Sequence, residues 1–161
     1  MKISIVYYSK TGRTREAAEE AARGMREIDG VEVGIFDVEH LDLDYLAESK
    51  AVVFGTPTYY ANTCWQLKKF FDEGGSINLG GKLGAAFATA NVPQGGADVA
   101  MLTLLQHMLV KGMLVYSGGS SLGQPFLHLG AAGWRDTFKE NKQLFYIFGQ
   151  RIAAKAKELF D

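Results

Sequence analysis

Length, composition and charge limit what this chain can be. Its 161 residues, 47% of them hydrophobic and 22% charged, match one ordinary globular domain and exclude a disordered or fibrous protein. The 17 basic and 18 acidic side chains leave a net charge of −1 without a basic stripe, so we expect no nucleic-acid partner.

The first third of the chain is predicted to form a strand, a loop, a helix and a second strand. Residues 3–8 form a continuous β-branched and aromatic run, which is typical of a parallel strand covered on both faces. A helix is predicted over 15–28, and the alternating residues 31–36 predict a second strand. Residues 44–49 fit a short helical turn.

The rest of the chain repeats this alternation. The predicted elements are a strand at 51–55, a helix at 63–72, a strand at 83–89, a helix at 99–110, a strand at 113–116 and a final helix at 137–160. Such alternation predicts right-handed βαβ units, hence a three-layer α/β/α sandwich around a parallel sheet, in a single domain over 1–161. Ligands of such sheets bind beyond the carboxyl ends of the strands.

The loop after the first strand has the composition of a phosphate site. Ser9, Thr11 and Thr14 supply hydroxyls, Gly12 permits a tight backbone, and the loop leads into a helix N-terminus. It lacks the Gly-Lys-Ser/Thr ending of a nucleoside-triphosphate loop and the Gly-x-Gly-x-x-Gly fingerprint of dinucleotide binding. A hydroxyl that only caps the helix explains the same residues.

Two later loops carry residues suited to a planar ligand. Tyr59 and Tyr60 follow the third strand, where aromatic rings pack against a ring system or cover the core edge. Asn62 offers hydrogen bonds at the ring edge. In the loop of residues 89–96, small side chains let the backbone approach a flavin, although any tight turn explains Gly95 and Gly96.

These loops resemble those of flavodoxin-like FMN proteins, above all the tryptophan-repressor-binding-protein (WrbA) type of NAD(P)H:quinone oxidoreductase. The resemblance rests on YSKTGRT at 8–14 and GTPTYYAN at 55–62, with GKLG at 81–84, QGG at 94–96 and KGM at 111–113. It implies a five-stranded parallel sheet of order 2-1-3-4-5 and FMN as cofactor. Ala61 departs from the family glycine, and the segment after strand five is short.

The resemblance implies three groups of FMN-binding residues. Those of the phosphate loop are Ser9, Lys10, Thr11, Gly12, Arg13 and Thr14. Those bordering the isoalloxazine are Pro57, Thr58, Tyr59, Tyr60, Ala61 and Asn62, with Thr89, Ala90, Asn91 and Gly95 on its other side. No metal site is expected, because no Cys/His cluster has zinc-ligand spacing.

The family suggests an enzyme that passes electrons from NAD(P)H through FMN to a quinone or another small acceptor. The alternative is a flavodoxin-type one-electron carrier between protein partners. Carriers of that type are strongly acidic, and the net charge of −1 favours the enzyme. A ligand-free interaction module on the same fold is a third reading. The flavin carries the chemistry, so no catalytic side chain is assigned.

The histidines, the cysteine and the remaining aromatic residues have either an undecided or a structural role. His128 is a candidate contact for a nicotinamide or quinone, against an ordinary surface histidine, whereas His40 and His107 read as structural. Cys64 reads as a buried hydrophobe, and Trp65 as a core or interface residue. Aromatic residues in the C-terminal third suit either a homo-oligomer (dimer or tetramer) or a helix packed on the sheet. No targeting or membrane-spanning segment is evident, so we expect a cytoplasmic protein.

Overall fold

A computed structural model describes residues 1–74 and 77–161 of the chain. The strands are β1 (Lys2–Tyr7), β2 (Glu32–Asp37), β3 (Ala51–Pro57), β4 (Leu83–Ala90), β5 (Leu114–Val115) and β6 (Ala131–Trp134). The helices are α1 (Arg13–Met25), α2 (Leu43–Glu48), α3 (Trp65–Glu73), α4 (Ala97–Val110) and α5 (Phe138–Phe160), with 3₁₀ turns at Ser120–Leu122 and Arg135–Thr137. Within these described residues, no helix has the length and apolarity needed to span a membrane.

The sheet confirms the predicted order, since its strands pair in parallel as β2-β1-β3-β4-β5. The fifth position is shared by two strands. Leu114 of β5 lies opposite Leu83, at the start of β4, and β6 then continues alongside β4 from Phe87 to Ala90. The sequence predicted one strand at 113–116 because β6 is an Ala-Ala-Gly-Trp segment without the β-branched residues that mark strands.

Two apolar layers cover the faces of the sheet, as expected for a parallel sheet whose central strands β3 and β4 are buried along their length. On one face, α1 and α5 pack so closely that a Cβ on Gly24 would lie 2.0 Å from the Tyr146 carbonyl oxygen. Phe145 and Phe148 of α5 are fully buried in this layer. These C-terminal aromatic residues therefore pack within the chain rather than on a subunit surface.

The carboxyl ends of β1, β3 and β4 lie side by side and carry the three loops singled out above. The first loop covers residues 8–12, the second covers 58–64 and the third covers 91–96. Because these three strands are adjacent in the sheet, the loops meet at one edge of the molecule.

Candidate functional site

The first loop ends at a helix N-terminus that remains open to an anion. Gly12 has a left-handed backbone (φ 92°), and its N–H donates to Ser9 Oγ at 3.1 Å. In the part of the chain that the structure describes, no side chain caps α1. The N–H groups of its first turn therefore keep hydrogen-bonding capacity for a phosphate.

Two contacts tie the first loop to the third. The hydroxyls of Thr14 and Thr89, both buried, lie 2.8 Å apart. Arg13 Nη1 donates to Asn91 Oδ1 at 3.4 Å. Of the three hydroxyls predicted to hold a phosphate, that of Thr11 belongs to an exposed residue, whereas Ser9 and Thr14 already make hydrogen bonds within the protein.

The second loop is a tight turn with a strained backbone. Tyr59 and Asn62 exchange both backbone hydrogen bonds, at 2.9 and 3.0 Å, across Tyr60 and Ala61. These two central residues have φ values of 49° and 60°, which belong to turns normally built with glycine or asparagine. Such strain in non-glycine residues concentrates at ligand sites and switches.

The second loop also packs on the third loop and on α4. A Cβ on Gly96 (φ 92°) would lie 2.5 Å from the Ala61 Cα, so the two loops touch through their backbones. Asn62 Oδ1 accepts hydrogen bonds from the Thr63 backbone N–H and from Thr103 Oγ1 of α4, both at 2.8 Å. The strained turn is therefore held by neighbours on two sides.

A cleft of about 540 Å³ opens where the three loops meet. Its lining residues are Tyr8, Lys10, Thr11, Tyr59, Trp65, Gln66 and Asn91. Its volume lies within the range of small-molecule sites, and its aromatic walls with a few polar groups are typical of a planar ligand's pocket. Four of the predicted site residues are thus brought together: Lys10, Thr11, Tyr59 and Asn91.

The remaining predicted residues take different places. Thr58, Thr89 and Ala90 are at least half-buried beneath the loops, and Gly95 lies in the third loop. Tyr60 projects into solvent at the tip of the turn and is not part of the described cleft wall. His128 is exposed on the segment between β5 and β6, while His107 Nδ1 donates a hydrogen bond to the Thr103 carbonyl oxygen, 2.7 Å away.

Tyr8, Trp65 and Gln66 line the cleft but were not predicted as site residues. The interpretation of Trp65 as a core residue is wrong, because its side chain is 63% exposed, whereas a role at an interface stays a prediction. The available signal was its place at the start of α3, directly after the second loop, since the first turn of a helix lies beside the loop that precedes it.

The electrostatics of the cleft suit a phosphate-bearing ligand. Lys10 is the charged side chain of its described wall, and the three loops contain Lys10 but no carboxylate. Burial raises the pKa of Tyr59 and of Tyr8 above the usual value, so both phenols stay neutral at pH 7. Burial likewise raises the pKa of the Cys64 thiol, which lies 3.7 Å from the donating Thr56 Oγ1 and behaves as a small hydrophobe.

The residues present fit FMN. Its phosphate matches the uncapped α1 terminus with Arg13 and Thr11, and its ring system matches the aromatic wall formed by Tyr59 and Trp65. Two buried polar atoms beside these elements, Thr58 Oγ1 and Gln66 Oε1, have no hydrogen-bond partner among the described residues. Unsatisfied buried groups of this kind are expected where a polar ligand completes the site.

A doubly wound parallel sheet with an uncapped helix N-terminus after its first strand and an aromatic cleft beside it is typical of flavodoxin-like α/β proteins. The family model described as Flavodoxin matches residues 5–105. A flavodoxin of Clostridium saccharobutylicum is 48% identical over 99% of this chain and 100% of that protein. The chain belongs to the flavodoxin family, and its cofactor is FMN.

Other relatives are more distant. An NAD(P)H dehydrogenase (quinone) of Geotalea daltonii is 32% identical and aligns with 71% of this chain and 70% of that protein. The solved structure of a flavodoxin from the domain Archaea superposes with a TM-score of 0.79 at 28% identity, covering 98% of this chain and 99% of that one. A flavodoxin, WrbA-like protein from Agrobacterium tumefaciens has the same fold, with a TM-score of 0.80 at 23% identity and 98% of both chains covered.

These comparisons correct the expected activity. The expectation of an NAD(P)H-dependent quinone reductase is wrong, because the relative that matches the whole chain at 48% identity is a flavodoxin, a carrier rather than an enzyme. The quinone reductases are similar at lower identity, 32% for that of Geotalea daltonii. The loop motifs did not separate the two classes, since the resemblance that rests on them extends to both.

Proposed function

We propose that this chain is a one-electron carrier that holds FMN at the three loops and shuttles electrons between protein partners. The observation that carries the proposal is the cleft in which all three loops meet, with a cation and an aromatic wall beside an uncapped helix N-terminus. The 48% identity to a flavodoxin over nearly the full chain supports the carrier. Residues 1–161 form the one FMN-binding domain in this proposal.

The proposed roles follow from where the side chains lie. Thr11, Arg13 and the first turn of α1 hold the phosphate, with Ser9 and Thr14 fixing the loop. Tyr59 and Trp65 pack against the ring system. The other predicted residues, namely Lys10, Gly12, Pro57, Thr58, Tyr60, Ala61, Asn62, Thr89, Ala90, Asn91 and Gly95, shape the three loops around the cofactor.

FMN, when bound, supplies the ability to accept and return electrons; the protein supplies position and electrostatics. Lys10 is the positive charge on the described cleft wall, and a cation there favours the negative charge that reduction adds. The three loops contain no carboxylate, so no negative side chain in them opposes the charge that reduction adds. The electron partner approaches at this cleft edge through a small, transient interface of the kind used by redox encounters.

Electron exchange with a protein acceptor tests the carrier function. Chemically reduced, FMN-loaded protein is mixed anaerobically with oxidised cytochrome c, and haem reduction is followed by absorbance. We expect haem to be reduced in proportion to the electrons loaded, with a rate that saturates as the cytochrome concentration rises because a complex forms. A rate no greater than that of the trace of free FMN in the sample would contradict the proposal.

Cofactor titrations test the site. Arg13→Ala and Thr11→Ala each remove a group from the proposed phosphate site, and a charge-assisted hydrogen bond contributes about 1.5–3 kcal/mol. We expect each variant to bind FMN roughly tenfold or more weakly, with riboflavin binding unchanged because riboflavin lacks the phosphate. Arg23→Ala, at the other end of α1, is the matched control. Equal losses for FMN and riboflavin would place the phosphate elsewhere.

A further inference from the structure

Helix α4 differs from its neighbours in the residues it presents to solvent. The exposed sides of α1 and α3 carry charged pairs such as Arg15 with Glu19 and Lys68 with Asp72. Residues 99–110 of α4 contain no lysine, arginine, aspartate or glutamate. Their exposed apolar side chains are Val99 (48% exposed), Leu102 (44%), Leu109 (61%) and Val110 (87%). An uncharged helix face with this many exposed apolar side chains marks an interaction surface.

The most exposed part of this surface is remote from the proposed cofactor site. Leu109 and Val110 end α4, and Leu114 of β5, which is 50% exposed, extends the patch. Leu114 pairs with Leu83 at the start of β4, whereas the cleft lies beyond the opposite end of that strand. A redox partner that binds at the cleft would leave Leu109, Val110 and Leu114 exposed. A different protein surface is therefore needed to cover them.

We infer that a second copy of this chain covers the surface, through an antiparallel pairing of the two α4 helices. The outer stripe of α4, defined as Val99, Leu102, Gln106 and Leu109, has spacings of three, four and three residues. This sequence of spacings is the same in both directions. In an antiparallel pair with twofold symmetry, Val99 of each copy therefore lies against Leu109 of the other, and Leu102 against the stem of Gln106.

The charges at the helix ends also suit an antiparallel pair. Asp98 lies in the first turn of α4 and Lys111 ends the helix. Antiparallel pairing places Asp98 of each copy near the C-terminal end of the other copy's α4. The positive charge of Lys111 at that end attracts the Asp98 carboxylate and offsets its repulsion from the partial negative charge of the helix C-terminus. A parallel pair would instead bring the two Asp98 carboxylates together.

The size of the surface sets the expected strength. A helix of 14 residues is about 21 Å long, and one helix pair with a neighbouring leucine buries less than the ~800 Å² per partner of a standard interface. The dimer is therefore reversible and forms at micromolar or higher concentrations.

Sedimentation velocity of FMN-loaded protein between about 1 µM and 1 mM tests the inference. We expect a concentration-dependent shift from monomer to dimer, lost in Leu109→Glu and in Val110→Glu. Leu159→Glu changes a leucine that is 46% exposed on α5 and should dimerise as the unchanged protein does. If the unchanged protein stays monomeric over the whole concentration range, the inference is wrong and the surface binds another protein. A dimer that persists in both α4 variants also overturns the inference.

Cysteine cross-linking tests the direction of the pair, since native Cys64 is 1% exposed. Around a dyad near residue 104, two copies of residue 106 are offset by about 6 Å along the helices and two copies of residue 99 by about 15 Å. Disulfides need Cα atoms within about 7 Å. The two residues 106 lie near this limit and the two residues 99 lie far beyond it, so Gln106→Cys should form a disulfide dimer in air much faster than Val99→Cys. Equal cross-linking at both positions overturns the antiparallel arrangement. Neither outcome depends on electron transfer.

Discussion

The hydroxyls of Thr14 in α1 and Thr89 in β4 lie 2.8 Å apart in the protein interior. One of them donates its proton to the other, so the accepting hydroxyl keeps a proton for a further acceptor. The pair joins the start of α1 to the strand that leads into the third loop. The geometry of the proposed phosphate site and that of the proposed ring site are therefore linked through a single buried contact.

Removing one member of this pair should destabilise the apoprotein. Thr14→Val or Thr89→Val leaves the other buried hydroxyl unpaired, which costs about 1–3 kcal/mol. The double variant removes both hydroxyls and should lose less than the sum of the two single losses. Urea unfolding of the four proteins measures this coupling. Strictly additive losses would show that the two hydroxyls do not interact.

Ala61→Gly should stabilise the chain. An L-residue in the left-handed region costs roughly 1–2 kcal/mol, whereas a glycine adds about 0.5–1 kcal/mol of unfolded-state entropy. The balance favours glycine by about 0.5–1 kcal/mol at this position, where φ is 60°. Ala154→Gly, on the exposed side of helix α5, is the matched control and should lose up to about 1 kcal/mol. Thermal unfolding of both apoproteins compares them, and a lower melting temperature for Ala61→Gly would contradict the strain.

Arg151 should stabilise the conformation of the segment between β5 and β6. Its guanidinium donates to the carbonyl oxygens of Gly119, Gly123, Gln124 and Pro125 at 2.9–3.2 Å. Arg151→Met should speed amide hydrogen exchange over residues 116–130 and lower the free energy of unfolding by about 1–3 kcal/mol. Glu158→Gln removes a surface ion pair of the same helix; it should leave exchange over residues 116–130 unchanged and alter the free energy of unfolding by no more than about 1 kcal/mol. Unaltered exchange in Arg151→Met would contradict this role.

Tyr45 should make the chain lose stability at alkaline pH. Burial, followed by the negative charge of Glu32, raises the pKa of Tyr45 to about 12. Because the folded state holds the phenol proton more tightly, stability is complete below the unfolded pKa near 10 and falls as pH rises towards 12. In urea unfolding, the gain in stability of Tyr45→Phe over the unchanged apoprotein should be larger at pH 11 than at pH 7. The same difference at both pH values would contradict this linkage.

The strands and the loops that carry the site could be predicted because the signals are local. β1 and β3 are continuous apolar runs, and the first loop shows its hydroxyls and glycine together. β6 could not be predicted, because Ala131–Trp134 becomes a strand only through its pairing with residues 87–90 of β4. The exposure of Trp65 could not be predicted, because its apolar ring fits a buried helical face as well as a cleft wall.

The activity could not be predicted from the loops for a different reason. A phosphate site and a ring site specify the cofactor, and the fate of its electrons depends on surfaces outside those loops. The net charge of −1 argued for an enzyme, yet the whole-chain similarity is to a flavodoxin. Net charge is a property of the entire surface and says little about the few residues that a redox partner contacts.

Anaerobic mixing of FMN-loaded protein with NADH or NADPH is the most direct test of the carrier function, with the flavin absorbance followed in time. We expect nicotinamide alone to reduce the bound flavin no faster than it reduces free FMN, and a catalytic amount of an NADPH-dependent flavoprotein reductase then to give full bleaching. Full bleaching by nicotinamide alone within seconds, with recovery on addition of a quinone, would contradict it.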